Sequence, residues 1–284
     1  MPKREVAARG APAGTEAQNI APARGSRLTG ALEWLRELGL DLLALVWPSL
    51  CAGCGRQDRE LCSTCAVEVA DAPPDEVHAI PALGVPGFAA GAYDGILRAV
   101  LLAYKHRGAY SFGPMLGPRL AVPLCAALAA EHHRQRALDR GAGDALPRAP
   151  VWVPLPSRKR RERERGYRHV DVMLRAGLLS GRLPGERLRL LVPRRGRVGQ
   201  VGLDSAARER NARLIRVRRD AERRLNGRGV ILVDDIATTG ATLRAAIAVF
   251  EAEGVPVVGA VTLCSAERRD APQKTEWNLT GERG

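Results

Sequence analysis

Two hydrophobic rhythms alternate along the chain. Short runs of branched apolar residues, bounded by glycine, proline or charge, give way to longer stretches with apolar residues three and four apart. The sharpest run is Val230–Val233, between Gly229 and the acidic pair Asp234 and Asp235, and it predicts a strand buried on both faces. A small hydroxyl-rich turn follows, and then Leu243, Ile247 and Phe250 recur at helical spacing up to Gly254, a stop signal. Val151–Pro156 and Val255–Leu263 predict two further core strands, with Pro256 tolerable at the start of the second. Ala89–Tyr93 and Leu188–Pro193 predict two more. Helices are expected over Ala31–Trp47, Tyr93–Gly108, Leu116–Leu138 with an interruption near Pro123, Val170–Leu179 and Leu203–Leu214. His132 and His133, among Glu131, Arg134 and Arg136, read as a solvated helix face. Strands alternating with helices predict an α/β fold with a largely parallel sheet.

Composition changes this picture at the ends. Residues 1–28 have low hydrophobicity, scattered Gly and Pro and no periodicity, and 267–284 is a polar tail; both are expected to be disordered. The Ala31–Trp47 helix carries Glu33, Arg36, Glu37 and Asp41 on its polar face, so it is expected to pack on its own protein rather than on anionic lipid. Pro-rich residues 66–90 read as a link to the main domain. The formal net charge of +13 favours polyanions: phosphorylated small molecules, nucleic acid or anionic lipid. Aromatics make up 4% of the chain, so the core must be aliphatic and platforms for stacking bases are few. With no secretory signal and no stretch of bilayer-spanning length, a soluble cytoplasmic protein is expected.

Four of the six cysteines form two C-x-x-C pairs, Cys51 with Cys54 and Cys62 with Cys65, with seven residues between the pairs. Two such knuckles suit a tetrahedral four-thiolate zinc site. All four ligands would come from protein, so the metal would have no open position and would stabilise structure or dock a partner rather than catalyse. Its removal is expected to loosen this region first. Cys125 and Cys264 stand alone in apolar surroundings and read as buried small hydrophobes.

The turn after Val230–Val233 carries the clearest chemistry. Unpaired backbone N–H groups at a helix start favour a phosphate dianion. Gly240 allows close approach, and Thr238, Thr239 and Thr242, with Ala237 before them and Ala241 among them, complete a cradle. Asp234 and Asp235 would repel phosphate, but they can accept hydrogen bonds from vicinal sugar hydroxyls. The implied ligand is a ribose 5-phosphate. This segment resembles the phosphoribosyl-pyrophosphate (PRPP) motif of type I phosphoribosyltransferases.

Two basic segments remain open to two readings. Lys105 is either a favourable cation at a helix C-terminus or a pyrophosphate contact. The run from Ser157 to Tyr167 is either a charged helix with Arg–Glu pairs or an anion loop in which Ser157, Arg158 and Arg165 meet pyrophosphate at the carboxyl edge of the sheet. Arg194–Gln200 with the following helix reads either as a lid over a reacting ester or as an exposed connection.

Together these segments resemble the ComF family of phosphoribosyltransferase-like proteins over about residues 40–266. Pro48–Cys65 matches its zinc knuckle, and Tyr93, Gly95, Lys105 and Gly108 match its Y-x-G…K-x-x-G stretch. Val153-Pro154-Leu155 with Arg165-Gly166-Tyr167 matches V-P-L…R-G-[FY]. Gln200, Leu203, Arg208 and Asn211 match Q-x-x-L-x-x-x-x-R-x-x-N. The chain departs from the family at Arg168-His169, where Asn-Gln is usual. The resemblance implies a type I phosphoribosyltransferase-like, largely parallel sheet with helices on both faces, plus a small N-terminal zinc-ribbon-like module. The corresponding organisation is a helix and four-cysteine module over 29–75 and the phosphoribosyltransferase-like domain over 88–266. It further implies PRPP binding with Mg, a link to natural competence, and handling of single-stranded DNA by uptake machinery at the cytoplasmic side. Whether phosphoribosyl is transferred, and to which acceptor, stays open. Replacing Asp234 and Asp235 together by alanine is expected to abolish PRPP binding and leave folding intact.

Overall fold

The computed structural model describes residues 50–57, 59–70, 77–106, 108–138, 148–157, 159–193 and 215–266, within one compact unit, Ser49–Gly284. The Ala31–Trp47 helix, both polar ends, Arg158, and the Arg194–Gln200 loop with the Leu203–Leu214 helix lie outside the described residues.

The strands are β1 (His78–Ala79), β2 (Gly87–Ala89), β3 (Val151–Pro154), β4 (Glu186–Arg187), β5 (Leu191–Pro193), β6 (Ile215–Val217), β7 (Val230–Ala237) and β8 (Val257–Ser265). The helices are α1 (Ser63–Ala70), α2 (Gly95–His106), α3 (Phe112–Met115), α4 (Gly117–Leu138), α5 (Lys159–Arg165), α6 (His169–Ser180), α7 (Ala221–Leu225) and α8 (Ala241–Glu251). Six strands form one sheet in the order β1-β2-β8-β7-β3-β4. All neighbours are parallel except β1 and β2. β5 and β6 form a separate antiparallel ribbon.

The central strands are apolar because both faces are covered. Val230, Ile231, Leu232 and Val233 are each fully buried. On one face Ile231, Val233, Val261 and Trp152 pack against Leu101 of α2, Leu120 and Leu124 of α4 and Met173 of α6. On the other, Val230, Leu232 and Val153 pack against Leu243, Ile247 and Phe250 of α8, Leu225 of α7 and the ribbon residues Leu191 and Ile215. The fold is therefore α/β, with a mostly parallel sheet between helical layers.

Three expectations are corrected. α4 runs unbroken through Pro123. An interior proline costs about 3 kcal/mol. The neighbouring Leu120, Leu124 and Leu128 are at most 8% exposed, and each buried leucine returns roughly 1.5–3 kcal/mol, so packing wins. Cys125 is exposed, because the helical phase that buries Leu124 turns it to the outer face with Pro118 and Ala129. Glu131 does not belong to the solvated face: it is 1% exposed. Its carboxylate accepts a bidentate pair of hydrogen bonds from Arg134 at 2.6 and 2.7 Å, and another from Gln135 at 2.6 Å.

Candidate functional site

β3 and β7 lie side by side in parallel, with Val151 opposite Val230 and Pro154 opposite Val233. The residues that follow them, 155–157 and 238–240, therefore leave the same carboxyl edge of the sheet as neighbours. The turn between β7 and α8 is built on Gly240, whose φ of 68° and ψ of 1° are left-handed. An added Cβ would stand 3.1 Å from both Arg244 Nη1 and Leu83 Cδ2. Thr239 Oγ1 accepts a hydrogen bond from the Ala241 N–H at 3.3 Å, and Arg244 Nη1 donates to the Thr239 carbonyl at 2.8 Å. Thr238 is exposed, Thr239, Ala241 and Thr242 are half-buried, and Ala237 and Gly240 are buried. Gly240→Ala is expected to cost about 1 kcal/mol in stability through the left-handed backbone alone. It should also weaken phosphate binding; urea melts and a phosphate titration on the variant would check both.

The acidic pair splits into two environments. Asp234 is half-buried, and its Oδ1 accepts the Asp235 N–H at 2.9 Å. The Asp235 side chain is 7% exposed, and its Oδ2 meets Lys105 Nζ at 2.8 Å. The same oxygen takes a short hydrogen bond from His169 Nε2. Lys105 arrives from the last turn of α2 and His169 from the first turn of α6. The chain of contacts continues on the other side of the imidazole, where His169 Nδ1 lies 3.1 Å from Ser157 Oγ. Two tyrosines fix this arrangement: Tyr104 Oη donates to the His169 carbonyl at 2.8 Å, and Tyr167 Oη donates to the Tyr104 carbonyl at 2.5 Å.

The basic run after β3 is helical over Lys159–Arg165, and on its outer side Arg160 pairs with Glu164 at 2.7 Å and Arg168 with Glu162 at 3.3 Å. Arg165 behaves differently: its Nε donates to the Arg161 carbonyl at 3.2 Å, while its Nη1 is buried with no hydrogen-bond partner among the described residues. A buried guanidinium nitrogen without an acceptor is costly unless an anion completes it. Lys105, Arg165, Ser157 and the acidic pair thus converge at one sheet edge.

The charges follow from these contacts. Burial alone would raise the Asp235 carboxyl, but Lys105 and His169 outweigh it and hold it well below the usual carboxylate range. Burial opposes the Lys105 ammonium, and Asp235 more than compensates, so its pKa is raised. For His169 burial dominates over Asp235, with Arg165 and Lys105 adding repulsion, and its pKa is lowered. The sign of each shift fixes a pH window. The depressed His169 contributes stability that is present above about pH 6.5 and lost as pH falls toward its folded value. The depressed Asp235 contributes stability present above about pH 3.9 and lost on further acidification. Raised Lys105 acts oppositely, its contribution being lost above about pH 10.4. The urea midpoint is therefore expected to begin falling below about pH 6.5, and His169→Gln to flatten that first segment.

The four knuckle cysteines converge separately. Their sulfurs all lie within 4.8 Å of one another, with Cys54 Sγ and Cys62 Sγ 3.8 Å apart. Tetrahedral zinc with thiolate bonds of about 2.3 Å requires sulfur separations of about 3.8 Å, so the donor set fits the ion. Cys62 N–H donates to Cys51 Sγ at 3.3 Å. Against the effect of burial, backbone N–H groups lower Cys51 to about 6, whereas burial pushes Cys65 up to about 12. Cys51, Cys54, Cys62 and Cys65 can therefore hold zinc once a metal displaces the remaining thiol protons.

The site residue that pattern reasoning passed over is His169. Its only signal was the departure from Asn-Gln after Arg165-Gly166-Tyr167. Among the described residues, no helix is long and apolar enough to cross a membrane. No curated protein matches this chain. Residues 194–281, which contain β7, the Thr238–Thr242 turn, α8 and β8, match the phosphoribosyl transferase domain family, so the chain carries an α/β domain of phosphoribosyltransferase type.

Proposed function

We propose that this protein binds PRPP at the carboxyl edge of β3 and β7 and is a phosphoribosyltransferase. The observation that carries this reading is the meeting of the acidic pair, the Gly240 turn, Ser157, Lys105 and Arg165 at one sheet edge within a domain of that type. Thr238–Thr242 would hold the 5-phosphate through the first N–H groups of α8 and the threonine hydroxyls. Asp234, the more accessible acid, would accept the ribose hydroxyls, while Asp235 holds the Lys105 and His169 cluster behind it. Ser157, Arg158, Arg165 and Lys105 would face the pyrophosphate. Mg, held mainly by the phosphates and water, would neutralise the leaving group. The C1–O bond to pyrophosphate would break through an oxocarbenium-like state as an acceptor bonds to C1, with the chain contributing position and charge. Zinc in the knuckle would be structural. Thermal melts test the binding reading: PRPP with Mg should raise the melting temperature and ribose 5-phosphate should compete. An unchanged melting temperature at saturating PRPP would count against it. Release of pyrophosphate tests the transfer.

A second reading follows the ComF resemblance: a cytoplasmic factor in natural competence that binds single-stranded DNA beside the uptake machinery. The net charge of +13 favours it, and the 4% aromatic content counts against stacking-based binding. Affinity for oligo-dT that does not fall as salt rises would remove it.

A further inference from the structure

The imidazole of His169 sits between the two halves of the site, and its protonation can be read from its partners. Asp235 is held ionised and can only accept, so the His169 proton lies on Nε2. Nδ1 is then a bare acceptor, and the group facing it at 3.1 Å, Ser157 Oγ, must supply the hydrogen. The single hydroxyl hydrogen of Ser157 is thus committed inward, toward the protein. An ionised phosphate oxygen offers no donor, so it can bond Ser157 only if that hydrogen turns outward. Nδ1 and Oγ would then oppose each other as two lone pairs, unless the imidazole gains a hydrogen of its own.

The surroundings push the same way. The groups facing the ring are Lys105 and His106 of α2, Arg165 of α5 and Asp235 of β7, with the Tyr104 ring edge-on at 6.2 Å. On α6 itself Asp171 is engaged by Arg187 and Arg189, and behind Asp235 burial pushes the Cys264 thiol of β8 up to about 12, so it stays neutral. Burial, with repulsion from Arg165 and Lys105, outweighs Asp235 and lowers the pKa of the ring, which favours its neutral form in the empty site. An anion beside Arg165 and Lys105 would offset those cations and remove the repulsion.

We propose that His169 takes up a proton from solvent when a diphosphate occupies the Ser157 side of the site, so that anion affinity is coupled to pH. The proton goes to Nδ1, which then donates to Ser157 Oγ, and the Ser157 hydrogen turns to the anion. Asp235 stays ionised and holds Nε2 throughout. His169 is a positioning residue here, acting through Ser157. The inference rests on the reading of Ser157 as the pyrophosphate side.

The test is nitrogen NMR of the His169 ring in the full-length protein, before and after saturation with inorganic pyrophosphate and Mg. The expected result is a neutral ring with its hydrogen on Nε2 in the free protein and an imidazolium in the complex. Calorimetry of the same titration should show affinity rising as pH falls, by up to about tenfold more per pH unit in the wild type than in His169→Gln. A ring that stays neutral with pyrophosphate bound overturns this inference alone. Absence of saturable pyrophosphate binding overturns the reading of the Ser157 side as well. Should His169→Gln fail to fold, the wild-type ring decides the matter by itself.

Discussion

Replacing Asp235 by alanine is expected to destabilise the protein by about 2–4 kcal/mol, because it leaves a buried cation without its counter-charge. The range sits below the usual penalty for breaking a buried pair because water reaches part of one partner: Lys105 keeps 23% of its side chain exposed. The melting temperature should fall by roughly 10 °C. Asp235→Asn restores shape but not charge and should recover little. Asp234→Ala is the contrasting variant. Asp234 is half-buried at the end of β7, so its loss should leave the melting transition nearly in place. It should weaken PRPP binding by roughly ten- to hundredfold, the worth of one hydrogen bond to a charged group. Thermal melts and PRPP titrations of the two single variants check both halves. This revises the expectation that the double alanine variant would fold normally, since Asp235 is buried against Lys105. Equal melting temperatures for the two variants would remove the structural role given to Asp235.

Stripping a metal from the four-cysteine cluster is the second large effect expected. The knuckle packs directly on the main domain. A Cβ on Gly53 would stand 2.7 Å from Ile96 Cδ1 of α2 and 2.8 Å from Cys65 Sγ. Val69 of α1 is fully buried in the main core. Arg119 of α4 donates to the Glu68 and Ala90 carbonyls, each at 3.3 Å. Without a metal, three buried thiols face one another with little apolar packing of their own. Chelation, or Cys62→Ser, is expected to cost on the order of 3–5 kcal/mol and to lower the melting temperature by roughly 10 °C. Hydrogen exchange should rise first across residues 50–70 and only later at β7. Lys105 stands at the far end of the helix that carries Ile96, so any weakening of PRPP binding should follow the loosening of that helix. Reduced, freshly purified protein without zinc by metal analysis would contradict this account.

Local chemistry was legible in the sequence, and long-range pairing was not. The β7–turn–α8 unit announces itself because the apolar run, the acids, the glycine and the helical spacing all lie within one stretch. The two C-x-x-C pairs were legible for the same reason. By contrast, His169 and Asp235 are 66 residues apart, and nothing in either neighbourhood predicts that they meet. They are joined because α6 packs over the sheet with its first turn at the carboxyl edge of β7. Strands β1, β4 and β6, of two or three residues each, are too short to show a period of two. Cys125 and Glu131 were misread because apolar content does not fix the rotational phase of a helix; the packing of Leu120, Leu124 and Leu128 does.

The measurement that bears most directly on the central claim is calorimetric titration of PRPP with Mg into the wild-type protein. The account predicts a saturable curve, competed by ribose 5-phosphate and severely weakened in Asp234→Ala. No heat and no competition by ribose 5-phosphate, from protein shown to be folded, would contradict it.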